Sequence, residues 1–257
     1  MLSKGKIKLL LSLQKRKNRE DERLFIIEGD KIVREVLSSG LKVISLIAKP
    51  EFINGLTNDQ LASCTEVVPV SYEELKKVSS LTTPHNAMVV VAMEENTSPA
   101  LPADGEYFVA LDFIQDPGNL GTIIRAAAWF GIRSVICSDN CVDVYNPKVI
   151  QATMGAFLSV TVRYTPLKDY LSLCSSNGIR IYGTLLEGNS LYDVSPEKRG
   201  IILIGNESKG ISGELLPFVS DRVTIPSFSI SGKGIESLNA GMATSIVLSE
   251  FARKNTE

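Results

Sequence analysis

The stretch Tyr107–Cys137, YFVALDFIQDPGNLGTIIRAAAWFGIRSVIC, decides the fold. Tyr107–Leu111 is a short, wholly apolar run, which reads as a strand buried on both faces. Asp116-Pro117-Gly118 then breaks the chain as a turn. A helix follows from about Asn119 to Phe130, with Gly131 placed as its C-terminal stop. Ser134–Cys137 is a second apolar run. Strand, helix and strand in this succession form the repeating unit of a parallel sheet with helices on both faces.

Downstream the alternation continues. Asn146-Pro147 opens a helix, with Asn as cap and Pro at the first position. Strands are predicted at Val160–Val162, Arg180–Thr184, Ile201–Ile204 and Arg222–Ile225, and a last helix from about Asn239 to Arg253. Upstream, Glu94 to Gly105 is nearly devoid of apolar residues and carries Pro99 and Pro102, so it reads as a linker. Before it lie predicted strands at Leu24–Glu28, Val43–Ala48, Val67–Val70 and Met88–Met93. Ile32, Val33, Val36 and Leu37 recur between the first two at helical spacing, and Gly40 stops that helix. The expected division is a small α/β domain over 1–93, a linker over 94–104 and a larger α/β domain over 105–257.

Composition excludes several classes. Of 257 residues, 44% are hydrophobic and 22% charged, as in an ordinary globular chain. No apolar run approaches the ~20 residues that span a bilayer, and the N-terminus lacks a signal-peptide pattern. Cys64, Cys137, Cys141 and Cys174 do not complete a metal-binding spacing, and they read as small buried residues of a cytoplasmic protein. His85, the single histidine, reads as a loop residue. The net charge is −2, yet residues 1–23 hold eight cations against three anions, a balance of +5. Lys4, Lys6, Lys8, Lys15, Arg16, Lys17, Arg19 and Arg23 therefore form a candidate phosphate-contacting segment.

Ligands of open parallel sheets bind at the carboxyl ends of the strands. Three clusters fall there. The first is Asp116 to Arg125, in which Asn119 and Arg125 stand six positions apart, roughly 120° around the helix. Arg125 interrupts an apolar run, Ile123-Ile124 before it and Ala126 to Phe130 after it, so it is expected to need an anionic or polar partner. The second is Leu203-Ile204-Gly205-Asn206-Glu207-Ser208-Lys209-Gly210. Its Lys-Gly order is not that of a P-loop, and a carboxylate at Glu207 suits a cationic or hydroxyl-bearing ligand. The third is Ile225-Pro226, then a Gly/Ser-rich loop from Ser227 to Ile235 placed to close over a ligand, then Glu236-Ser237-Leu238-Asn239 at a helix start. Ser237 and Asn239 taken alone read as helix caps. No Gly-x-Gly-x-x-Gly follows the first strand of either domain, which argues against a nicotinamide dehydrogenase.

In this order the three clusters resemble the signature motifs of SpoU-type RNA 2′-O-ribose methyltransferases of the SPOUT superfamily. Arg23 to Gly29 resembles the substrate-binding domain of the same family, so the likeness covers nearly the whole chain. The resemblance implies a parallel sheet with a deep trefoil knot, a homodimer, and methyl transfer from S-adenosylmethionine to a ribose 2′-hydroxyl of structured RNA, without metal. The two-domain layout favours ribosomal over transfer RNA. The resemblance makes Arg125 the central catalytic residue, with Asn119, Glu207, Ser237 and Asn239 positioning it, the ribose or the cofactor. It gives the adenosyl group to backbone near Leu185, Gly205, Ile225 and Leu238. Modification of a base instead of a ribose, and a non-catalytic RNA-binding or ribosome-assembly module of the same fold, are the alternatives.

Overall fold

A computed structural model describes residues 1–228 and 237–255. The chain packs into two compact units, residues 1–95 with 143–158, and residues 96–142 with 159–255.

In the first unit, α1 (Lys4–Ser12) and α2 (Arg16–Glu22) lead into β1 (Leu24–Glu28), α3 (Asp30–Leu37) and β2 (Val43–Ala48). Two short helices, α4 (Pro50–Asn54) and α5 (Asn58–Ala62), precede β3 (Cys64–Pro69), α6 (Tyr72–Val78) and β4 (Ala87–Ala92). The strands form one sheet in the order β1-β4-β2-β3, parallel only between β2 and β3. Alternation divides its two faces. Phe25, Ile27, Val89 and Val91 join Val33, Val36 and Leu37 of α3 on one side. Ile26, Met88 and Val90 meet Leu10, Leu13, Leu75 and Val78, from the α1 and α6 regions, on the other. The first of these clusters also contains Ile150, with Tyr145, Phe157 and Leu158 packed against it, all from residues 143–158.

The basic N-terminal segment is less available than its charge suggests. Arg19 is buried. Its Nε and Nη2 donate to Asp143 Oδ2 at 3.0 and 2.6 Å, and its Nη1 donates to the carbonyls of Leu13 and Gln14. This corrects its expected role as a phosphate contact: a guanidinium out of water must be paired. Lys6 is likewise bound to Glu66 and to Ser45 Oγ. Lys4, Lys8, Lys15 and Lys17 remain exposed. His85 lies exposed in the loop before β4. Cys137, Cys141 and Cys174 are buried, but Cys64 is only partly so.

The second unit runs β5 (Tyr107–Leu111), α7 (Pro117–Trp129), β6 (Ser134–Cys137) and, after the excursion through α8 (Pro147–Thr153) in the first unit, β7 (Thr161–Tyr164). It continues through α9 (Leu167–Ser176), β8 (Arg180–Ser190), β9 (Gly200–Ile204), β10 (Asp221–Thr224) and α10 (Ala240–Asn255). The six strands are all parallel, in the order β10-β8-β9-β5-β6-β7. Every residue of the central strands β5 and β9 is buried, which is why both appear as unbroken apolar runs. Gly131 ends α7 at φ +76°, a conformation that costs a Cβ-bearing residue strain. β8 runs six residues beyond the expected Thr184 because it bulges: Gly183 pairs with Arg222, but the next partner of β10 is Asn189.

Candidate functional site

The neighbouring strands β10, β8, β9 and β5 are parallel, so the segments leaving their carboxyl ends gather along one edge of the sheet. These segments are 112–119 after β5, 205–210 after β9 and 225–226 after β10, beside the bulge at 184–188.

Asp116 starts α7 by accepting Asn119 N on its carboxylate at 2.8 Å, and Pro117 fills the first helical position. Asn119 therefore sits in the first turn. Its Nδ2 donates to Glu207 Oε1 at 2.5 Å, and its Oδ1 accepts from Asn239 Nδ2 at 2.7 Å. The orientation of this amide follows from chemistry, because an ionised carboxylate only accepts and so must face the NH₂ group. Asn239 performs two tasks at once. Its Oδ1 caps α10, accepting from Gly241 N at 3.0 Å and Met242 N at 3.3 Å, while its Nδ2 holds Asn119. Asn119, Glu207 and Asn239, drawn from three separate motifs, thus form one hydrogen-bonded chain.

The turn carrying Glu207 is closed on itself. Asn206 and Gly210 exchange backbone hydrogen bonds at 3.0 and 2.9 Å. A Cβ at Gly205 would lie 2.3 Å from the carbonyl carbon of Gly210, so the glycine is required by the turn itself. Two further residues act here that the sequence reading did not single out. Asn206 accepts Ser208 N and Lys209 N on its Oδ1, and its Nδ2 donates to the carbonyl of Phe113 at 2.9 Å. The signal for it was an Asn two and three residues before the amides it binds, the spacing of an Asx turn. Phe113, just past β5, has φ +61°, a left-handed conformation that costs a non-glycine residue about 1–2 kcal/mol. It is held by Asn206 on its carbonyl and by Ser138 Oγ on its N–H at 2.9 Å.

Arg125 requires a correction. It is exposed, together with Thr122 and Trp129, while Ile123, Ile124, Ala126 and Ala127 face the core. It makes no hydrogen bond or ion pair among the described residues. The expectation that a cation interrupting an apolar run needs a partner is thus not met among the described residues. The spacing 122, 125, 129 is the helical signature of one solvent-facing stripe. Ser237 and Leu238 are exposed just before α10. Leu185 is partly buried against the cluster of Ile181, Leu203 and Ile211, and Ile225 is partly buried after β10. Of the loop from Ser227 to Ile235, residues 229–235 lie outside the described residues, as does Glu236.

Beside Phe113, Cys141 Sγ accepts Ile114 N at 3.2 Å and lies 3.4 Å from Ser138 Oγ. Contact with the Cys137 thiol holds Cys141 down at about 7, and the same contact pushes buried Cys137 up.

Comparison with known proteins identifies the family of the chain. Residues 106–249 match the SpoU rRNA Methylase family, and residues 4–89 match the MRM3-like substrate binding domain. The chain is 29% identical over 244 residues to the 23S rRNA (guanosine(2553)-2′-O)-methyltransferase RlmP of Bacillus subtilis (strain 168), covering 95% of this chain and 94% of that protein. A protein from Porphyromonas gingivalis assigned to the TrmH family of RNA methyltransferases superposes with a TM-score of 0.88 at 37% identity, over 98% of this chain and 99% of that one. An AdoMet-bound rRNA methyltransferase from Sinorhizobium meliloti superposes at 0.87 with 28% identity, over 98% and 95% of the two chains.

Proposed function

The chain belongs to the SpoU rRNA methylase family, and from that premise we propose that it transfers a methyl group from S-adenosylmethionine to a ribose 2′-hydroxyl of structured RNA, ribosomal in preference to transfer RNA. The observation that carries this reading is the side-chain chain Asn239–Asn119–Glu207, which ties the three motif segments together at the carboxyl edge of the sheet. The ribosomal substrate is supported by RlmP and by the rRNA methyltransferase from S. meliloti.

The residues present suit the methyl donor. Leu185, Ile225 and Leu238 leave apolar surface partly exposed beside strand-end backbone groups, as an adenine would require. Backbone near these residues and Gly205 holds the adenosyl part, with no metal. When bound, S-adenosylmethionine supplies an electrophilic methyl group on a sulfonium. The chain's own residues serve the acceptor. A ribose hydroxyl is a weak acid, so its oxygen must be oriented and its developing negative charge met by a positive field. Arg125 carries a permanent charge and, exposed and without an ion-pair partner among the described residues, takes this part. Asn119, Glu207, Ser237 and Asn239 position the ribose, the arginine or the donor.

The first unit, with residues 1–93 as its main part, serves as the RNA-binding domain. Its match to a substrate binding domain and its exposed Lys4, Lys8, Lys15 and Lys17 support this role. A homodimer is supported by Trp129 and Met242, 84% and 60% exposed on the packed pair α7 and α10. The trefoil knot of the SPOUT fold and a cytoplasmic location complete the reading. No helix among the described residues is long and apolar enough to cross a membrane.

Mapping 2′-O-methyl groups in RNA from cells with and without the protein tests the function. One ribosomal site should vanish without it. An unchanged map in both ribosomal and transfer RNA would overturn the reading.

A further inference from the structure

Lys209 stands out once the charges around the site are matched. It lies on the closed 206–210 turn, two residues after Glu207, and is exposed. Its backbone N–H is fixed by Asn206 Oδ1 at 3.0 Å. Its Nζ lies 5.5 Å from the centroid of the Phe113 ring, within range of a cation–π contact. Among the described residues, the carboxylates of segments 112–119 and 205–210 each accept a hydrogen bond: Glu207 from Asn119 Nδ2, Asp116 from Asn119 N and Asp112 from Ser212 N. Lys209 has no carboxylate partner among the described residues. Phe113, for its part, adopts a left-handed backbone that glycine would accept without strain. Its backbone is thus held in an unfavourable conformation at the carboxyl edge of the sheet, with an ammonium over its ring.

We propose that Lys209, parked on the ring of Phe113, is the phosphate contact of this site, taking the phosphodiester on the 3′ side of the target ribose. The inference rests on the methyltransferase reading. That phosphodiester is the RNA charge covalently closest to a 2′-hydroxyl, and Lys209 shares a five-residue turn with Glu207. A lysine suits the task as a compact point charge that can leave an aromatic face for an anion without rearranging the backbone. Lys209 is a positioning residue: it fixes where the ribose lies and takes no part in bond making. The other anion available at the site is the carboxylate of S-adenosylmethionine, and the two are separable by experiment.

The test uses the full-length protein with deproteinised large-subunit ribosomal RNA from cells lacking the enzyme. Wild type, Lys209→Met and Lys209→Arg are compared for methylation kinetics, for RNA affinity over a range of salt and for S-adenosylmethionine affinity. Lys209→Met should raise the RNA KM about 10-fold and reduce the salt slope of RNA binding by about one. Donor affinity should stay within twofold, and Lys209→Arg should recover most of the loss. Unchanged RNA KM and salt slope in Lys209→Met would overturn the proposal, as would weakened donor binding with RNA binding intact. Failure of the wild type to methylate any RNA would instead overturn the function it rests on.

Discussion

Substitution of Arg125 by Ala should separate catalysis from stability. Arg125 is exposed and makes no ion pair or hydrogen bond among the described residues. Surface substitutions of that kind change stability by about 0.5 kcal/mol or less. For a chain of this size that is a shift of about 1–2 °C in Tm. Loss of a positioned charge from the reaction should lower the rate at least ~100-fold, which is about 2.7 kcal/mol at 1.36 kcal/mol per decade. The two expectations thus differ about fivefold in free energy. Single-turnover methylation with saturating RNA and donor measures one, and thermal denaturation followed by circular dichroism measures the other. Arg125→Lys should also be slow, because a point charge does not reproduce a planar fork. A rate for Arg125→Ala within threefold of wild type would refute the catalytic assignment. A fall in Tm beyond about 4 °C would show that the side chain supports the fold after all.

Asn119→Ala removes both links of the Asn239–Asn119–Glu207 chain. It should cost about 1–3 kcal/mol in transition-state stabilisation, read as a roughly 5- to 150-fold fall in kcat/KM. Arg19→Met leaves Asp143 without its buried guanidinium and should destabilise the protein by about 3–5 kcal/mol. A thermal melt should show a drop of about 10 °C, partly recovered by adding Asp143→Leu. Trp129→Glu replaces the exposed indole of α7 with a charge and should convert a dimer to monomers in sedimentation equilibrium. Calorimetric titration in a chelator should show S-adenosylmethionine binding at roughly one site per subunit, and loss of binding on chelation would contradict the metal-free reading.

The elements easiest to read were those buried on both faces. Tyr107–Leu111 and Ile201–Ile204 lie at the middle of the sheet, where position imposes continuous apolar sequence. The far half of β8 was illegible because its bulge exposes Leu186 to Asn189, which removes the hydrophobic signal without removing the strand. The exposure of Arg125 was legible in principle, from Thr122 and Trp129 on the same stripe, but the many alanines of α7 hid it. They are small enough to suit either face, so they blur the period. The contacts of Asn119 with Glu207 and Asn239 span 88 and 120 residues. Nothing local encodes such a pairing. Only the ordered occurrence of three motifs suggested that these segments share a site.

The excursion of residues 143–158 into the first unit has a consequence for how the protein is made. When residue 95 leaves the ribosome, the sheet of that unit lacks Ile150, and Arg19 lacks Asp143. The missing piece arrives only after β5, α7 and β6 have been synthesised. At 5–20 residues per second the delay is roughly 3–13 s. Through that interval the nascent N-terminal half carries an open apolar face and an unneutralised guanidinium, a natural substrate for a chaperone. The second unit is incomplete through the same interval, because β7 to β10 and α10 lie beyond the excursion in the chain.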